Sequence, residues 1–261
     1  MSAAVRVHPA AIVDPGARLG EGTAIEAFSV VGPGVTIGPD CVVGPHAVIE
    51  GPTTLGARSR VFPFASLGLA PQDLKFRGEE TRLEIGDDNT FRESVTVHRG
   101  TAGGGGVTRI GSGNLFMVGA HVAHDCRVGD GVIFANAATL AGHVTVEDGA
   151  TVGAFSGVHQ FCRIGRHAYL GGFTVITQDA LPYVLTVGNR ARSYGINVIG
   201  LERKGIPADT IAALKSAYRT LFRMRLGLEE ALGRLEEDAG RVPEVRLLLD
   251  FIRGSERGVI R

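Results

Sequence analysis

Every sixth residue from Val7 to Leu67 is aliphatic: Val7, Val13, Leu19, Ile25, Val31, Ile37, Val43, Ile49, Leu55, Val61 and Leu67. If Val, Ile and Leu fill roughly a quarter of positions, such a run arises by chance on the order of once in a million. The pattern returns at Ile85, Phe91 and Val97 and then shifts phase. It continues through Ile110, Phe116, Val122, Val128, Phe134, Leu140, Val146, Val152, Val158, Ile164, Leu170 and Ile176. A fixed six-residue period predicts a parallel β-helix, in which short strands wind into a prism and bury one aliphatic per side. The chain is therefore expected to be mainly β, with the periodic residues inward and the residues between them outward.

The period changes near Val187. From Pro207, Ile211, Leu214, Tyr218, Leu221 and Phe222 follow at the three- and four-residue spacing of a helix. A second helical stretch, 228–237, carries Leu228, Ala231, Leu232 and Leu235. A third follows Pro243, with Val245, Leu248, Leu249 and Ile252. The expected organisation is a β-helix over residues 1–192 and a small α-helical domain over 193–261.

Two segments interrupt the repeat, and interruptions of a regular scaffold are where function tends to sit. Residues 69–84 place polar side chains where aliphatics would fall. They hold Lys75, one of three lysines in a chain with 24 arginines, and a compact ammonium suits a phosphate or small polar ligand. Residues 101–109 contain Gly103–Gly106 and read as a mobile loop, for which tolerated insertion is at least as good an account as function.

Composition narrows the classes. Basic and acidic residues are equal at 27 each, which argues against non-specific nucleic-acid binding through a basic surface. No secretory signal and no apolar run of membrane-spanning length is found, so a cytoplasmic protein without stable membrane insertion is expected. Cys41, Cys126 and Cys162 each stand four residues after a repeat aliphatic, where other coils carry small inward residues. They read as core residues, not as a disulfide pair.

The histidines carry the candidate chemistry. With eighteen residues per coil, adding one and two coils to His124 gives 142 and 160, beside His143 and His159. These three histidines are expected to stack on successive coils within one residue of a common column, at ~5 Å steps, with His121 flanking its base. Spacing leaves three readings open: a metal site, a general-base site or a solvated polar face. The ~10 Å end-to-end span argues against one zinc gathering all three from a single chain.

The runs AHVAHDC (120–126), TLAGHVTV (139–146), VHQF (158–161), QDLKF (72–76) and RESVTVHRG (92–100) together resemble the acyl-carrier-protein-dependent UDP-N-acetylglucosamine O-acyltransferases. That family catalyses the first step of lipid A synthesis, and the resemblance spans the whole chain. It implies a left-handed parallel β-helix, against the usual crossover rule, and a homotrimer with active sites in clefts between neighbouring subunits. It also implies transfer of an (R)-3-hydroxyacyl group from acyl carrier protein to the 3-hydroxyl of the sugar, with no resident cofactor or metal. On the matching positions, His124 becomes the general base and Asp125 its support, although adjacent strand residues point oppositely and their contact needs a corner. The Gly142 amide becomes the oxyanion donor. Asp73, Lys75, His121, His143, His159 and Gln160 fall around sugar, phosphate or acyl chain. Asn197 and Arg203 fall in the nucleotide pocket, where a guanidinium can clamp phosphate. Gly172 takes the position of a chain-length stop, and a glycine there implies a long acyl group.

Other readings stand beside this one. A 3-amino-3-deoxy sugar acceptor stays open, because Ile199 replaces an acidic residue of close relatives in the nucleotide pocket. An N-acyltransferase of the same pathway is disfavoured because the repeat begins by Val7. A zinc carbonic anhydrase on the same prism and a non-catalytic hexapeptide scaffold are the remaining classes. The latter predicts that replacing His124 alters only local stability.

Overall fold

The six-residue period appears as strands of two to five residues, each followed by a tight corner. A computed structural model describes residues 4–261. Its strands form three faces: eleven strands beginning with Arg6–Val7 (face 1), nine beginning with Ile12–Val13 (face 2) and eight beginning with Arg18–Leu19 (face 3). Apart from the last pair of face 1, neighbours within a face pair in parallel, and the common register is eighteen residues, as in Val13↔Val31↔Ile49. The inward side chains make one continuous core along the prism axis, and all three cysteines are buried in it as free thiols. Burial pushes the Cys126 thiol up to about 12 and Cys162 up to about 11.

Each corner turns the chain from one face to the next within a few residues, and many use a left-handed backbone. At the edge joining faces 2 and 3 the residues in this conformation include Asp125 (φ 60°), His143 (φ 63°) and Phe161 (φ 64°). Asp and His belong to the small group that tolerates it.

The two interruptions have a structural account. Leu55 pairs with Ile85, thirty residues on, and Ile85 with Ile110, twenty-five on. Against eighteen, these coils are longer by twelve and seven residues. Twelve is a multiple of six and preserves the phase of the hydrophobic pattern; seven shifts it by one. The extra residues leave at the same edge, between Ser66–Leu69 and Arg82–Ile85 and between Thr96–His98 and Val107–Ile110. They flank the 2/3 edge one coil apart. The second is not a free loop: Ala102–Gly104 forms a 3-10 turn capped by the Thr101 side chain.

Parallel stacking on face 1 ends at Val184–Val187, against which Arg192–Ile196 runs antiparallel. The boundary expected at 192/193 falls at the start of that last strand. Five helices follow: α1 (Val198–Arg203), α2 (Ala208–Arg223), α3 (Leu228–Arg234), α4 (Glu236–Arg241) and α5 (Pro243–Arg253). The stretch read as one helix over 228–237 is two, meeting at Leu235, which caps the first and opens the second. Leu181, Tyr183 and Val184 join the helices in a second core. Among the described residues no helix is long and apolar enough to cross a membrane.

Candidate active site

The corner 123–126 links face 2 to face 3 one coil beyond the glycine turn. Left-handed backbone at Asp125 brings two consecutive side chains together. His124 Nδ1 lies 2.7 Å from Asp125 Oδ2, and the Asp125 side chain is 1% exposed. The carboxylate is held on every side. Oδ1 accepts from the Thr101 backbone N–H at 2.8 Å, Oδ2 accepts from the Thr101 hydroxyl at 2.6 Å, and the Asp125 N–H donates to Thr108 Oγ1 at 2.8 Å. A buried carboxylate this well bonded keeps its orientation and fixes that of its partner.

The expected histidine column is corrected in its third member. His124 and His143 rings meet edge to face at 5.2 Å, but His143 stacks on Phe161 at 4.5 Å, not on His159. The reason is register. Asp125, His143 and Phe161 share one corner position at eighteen-residue steps, as do His124, Gly142 and Gln160. His159 follows the strand Gly157–Val158 and is exposed, its Nδ1 3.1 Å from the Gln160 carbonyl. It enters the same hollow from face 2, with His121, His124, Leu140 and Gly142 lining a concavity of about 540 Å³.

Gly142 faces the imidazole directly. A Cβ there would stand 2.5 Å from His124 Cε1 and 2.8 Å from Nε2. Ala141 and His143 donate their N–H groups to Val158 and His124, whereas the Gly142 amide has no backbone carbonyl partner among the described residues. The Gly142 amide, on the coil next to His124, is thus left without a carbonyl partner among these residues.

Further residues crowd this edge. His121 Nδ1 is 2.7 Å from Thr96 Oγ1, and its ring meets His98 edge to face at 5.0 Å. His98 takes an outward position of the repeat yet is buried, outside the prism core. Burial, followed by the charges of His121 and His124, pushes His98 down to about 4. Burial also lowers His121 and His143. From the first lengthened corner, Gln72 lines the hollow and Asp73 is close enough to act on His143 electrostatically. Lys75 is exposed, its N–H held by Asp73 Oδ1 at 2.9 Å. Gly172 is exposed on the corner between faces 1 and 2, beside Phe173 at 71% exposure, and does not share the edge of His124.

Asn197 and Arg203 stand apart. Asn197 caps α1 through Gly200 N–H and donates to the His167 carbonyl at 3.3 Å. His167 and Gly149, with Lys204 of the same segment, lie at the edge joining faces 3 and 1. One chain thus does not bring these two residues to His124. A larger groove of about 1180 Å³ runs between face 3 and α5. Its charges are largely self-paired, as Arg109–Glu84, Arg163–Glu147 and Arg166–Asp148, and it holds no histidine.

His124, Asp125 and His143 place ligand atoms within 4.8 Å of one another. Both Asp125 oxygens are already engaged by Thr101 and His124, so the group is built as a hydrogen-bonded base more than as an open metal cradle.

Six-residue coils of this kind, with a histidine–carboxylate pair at one corner, fit the hexapeptide-repeat acyltransferases. A family model for bacterial transferase hexapeptide repeats matches residues 16–51 and 143–178, and one for domain 2 of UDP-N-acetylglucosamine O-acyltransferase matches 179–260. A relative from Anaeromyxobacter sp. (strain K), named acyl-[acyl-carrier-protein]–UDP-N-acetylglucosamine O-acyltransferase, is 52% identical over 194 residues. The match covers 74% of this chain and 76% of that protein. The crystal structure of Francisella novicida UDP-N-acetylglucosamine acyltransferase is 34% identical with a TM-score of 0.95, covering 98% of this chain and 94% of that one. The Bacteroides fragilis enzyme is 39% identical with a TM-score of 0.94, covering 97% and 99%. The chain belongs to the acyl-[acyl-carrier-protein]–UDP-N-acetylglucosamine O-acyltransferase family, and its prism is the left-handed parallel β-helix.

Proposed function

We propose that this chain transfers an (R)-3-hydroxyacyl group from acyl carrier protein to the 3-hydroxyl of UDP-N-acetylglucosamine, the first step of lipid A synthesis. The observation that carries the mechanism is the 2.7 Å contact between His124 Nδ1 and buried Asp125. An Nδ1–H donated to Asp125 leaves the Nε2 lone pair as the basic site. Nε2 takes the sugar hydroxyl proton as that oxygen attacks the thioester carbonyl. The Gly142 amide supports the oxyanion. Collapse breaks the C–S bond, and the departing thiolate recovers the proton from His124. The donor's own phosphopantetheine supplies the thioester, so the chain needs no cofactor of its own.

Asp73, Lys75, His121, His143, His159 and Gln160 bind sugar, phosphate or acyl chain in this reading, and Gly172 bears on acyl length. Asn197 and Arg203 reach the nucleotide from a neighbouring copy in a homotrimer. Their position on a different edge from His124 supports that arrangement.

The test is acyl transfer by purified protein to UDP-N-acetylglucosamine from a series of 3-hydroxyacyl carrier proteins, with His124→Ala alongside. The variant should fold and lose about 10²- to 10⁴-fold in turnover. Unchanged turnover in the variant would remove His124 as the base. Turnover seen only with the 3-amino sugar would replace an ester product by an amide.

A further inference from the structure

The glycine turn at residues 101–106 reaches over the catalytic corner and makes specific contacts there. Thr101 is buried, and its Oγ1 accepts the Gly104 N–H at 3.1 Å. A hydroxyl has one proton to give, and here it goes to Asp125 Oδ2 at 2.6 Å, while the Thr101 backbone N–H holds Oδ1 at 2.8 Å. One residue thus grips both carboxylate oxygens, and Oδ2 is the oxygen shared with His124 Nδ1. Gly104 lies so close that a Cβ there would overlap the carboxylate. Its φ is not left-handed, so the Asp125 side chain, not backbone conformation, is what demands glycine at this position.

We infer that Thr101 is a positioning residue for the His124–Asp125 pair, and that the glycine turn is the structure that delivers it. The inference rests on His124 being the base. Gripped at two points, the carboxylate cannot rotate, so the lone pair of Oδ2 stays aimed at Nδ1 and the proton stays on that nitrogen. This leaves Nε2 unprotonated and facing the hollow. Without the hydroxyl the carboxylate is held by one donor less and turns about its own axis. The imidazole then loses both its fixed tautomer and its direction.

Three variants separate this role from simple support. Thr101→Val keeps the shape and the backbone donor but removes the hydroxyl proton. Thr101→Ser keeps the hydroxyl. Gly104→Ala leaves Thr101 intact and presses a methyl on the carboxylate. Thr101→Val and Gly104→Ala should each lower kcat about 10- to 100-fold, with KM for UDP-N-acetylglucosamine within about twofold, while Thr101→Ser retains most of the wild-type kcat. In histidine-labelled protein, the ¹⁵N signals of His124 should report one Nδ1-protonated tautomer in the wild type and a tautomer average in Thr101→Val. A Thr101→Val enzyme with wild-type kcat, or with an unchanged His124 tautomer, overturns the inference. So does an equal loss in Thr101→Val and Thr101→Ser. If Thr101→Val does not fold, Gly104→Ala decides by the same kcat and tautomer criteria. A wild type inactive on the sugar with every donor would sink the functional reading instead, and the tautomer comparison would still decide the clamp.

Discussion

At Asp125 a left-handed φ of 60° does the work that no strand can do, turning neighbours 124 and 125 toward one another. The sequence alone marked the difficulty, since alternation along a strand separates adjacent side chains. It could not show that Thr101 reaches the same carboxylate from 24 residues away, because that contact exists only once the lengthened corner folds back. His98 was hidden for a similar reason: its place is outward by the six-residue count, and only contacts made in three dimensions enclose it. Its titration has a consequence for stability. The unfolded chain binds a proton on His98 near the ordinary imidazole value of about 6.5, whereas the folded protein resists until about 4. Between these limits the unfolded state holds more protons, so stability is full above about 6.5 and falls as pH drops toward 4. Melting temperatures measured across pH 7 to 4 should decline, and His98→Leu should flatten that decline. An identical slope in the variant would mean that other groups carry the acid sensitivity.

Among the elements, the period of six was legible from residue 7 onward because each coil buries the same kind of side chain at the same place. The helices were legible by their spacing, apart from the short α1 and the break at Leu235. The lengthened corners were visible only as lost periodicity. Their exit at one edge required the pairing of Leu55 with Ile85 and of Ile85 with Ile110. The phenylalanines of the repeat mark the coils that carry them. Phe91, Phe116 and Phe134 stack inside face 1 with ring centroids 4.9 and 4.8 Å apart, all fully buried. Removing the middle ring leaves a cavity that two flanking rings on rigid coils cannot fill. Phe116→Ala should therefore lower stability by about 3–5 kcal/mol, read from denaturant unfolding followed by circular dichroism. A cost under about 1 kcal/mol would mean that the coils collapse around the gap.

For the whole molecule, the separation of His124 from Asn197 and Arg203 makes a quantitative prediction about assembly. If each site takes His124 from one copy and Arg203 from the next, His124→Ala and Arg203→Ala trimers are each inactive or nearly so. A trimer mixed at random from equal amounts contains intact sites at roughly a quarter of its interfaces. Co-expression of the two variants should restore activity near that fraction, and activity no greater than the parents' would place both residues in a site built from one chain. Periodicity and spacing carry none of this partition, because along the chain the two groups differ only by distance; the family resemblance alone implied sites between subunits.

The coils of thirty and twenty-five residues close onto neighbours of eighteen with regular pairing on face 3, and the one register shift between them, at Leu67/Leu69 against Val97/His98, sits where the extra residues leave. Such an edge is open to inheritance by addition. A lineage can lengthen a corner, test what the new turn touches and keep it, while the prism beneath is passed on unaltered.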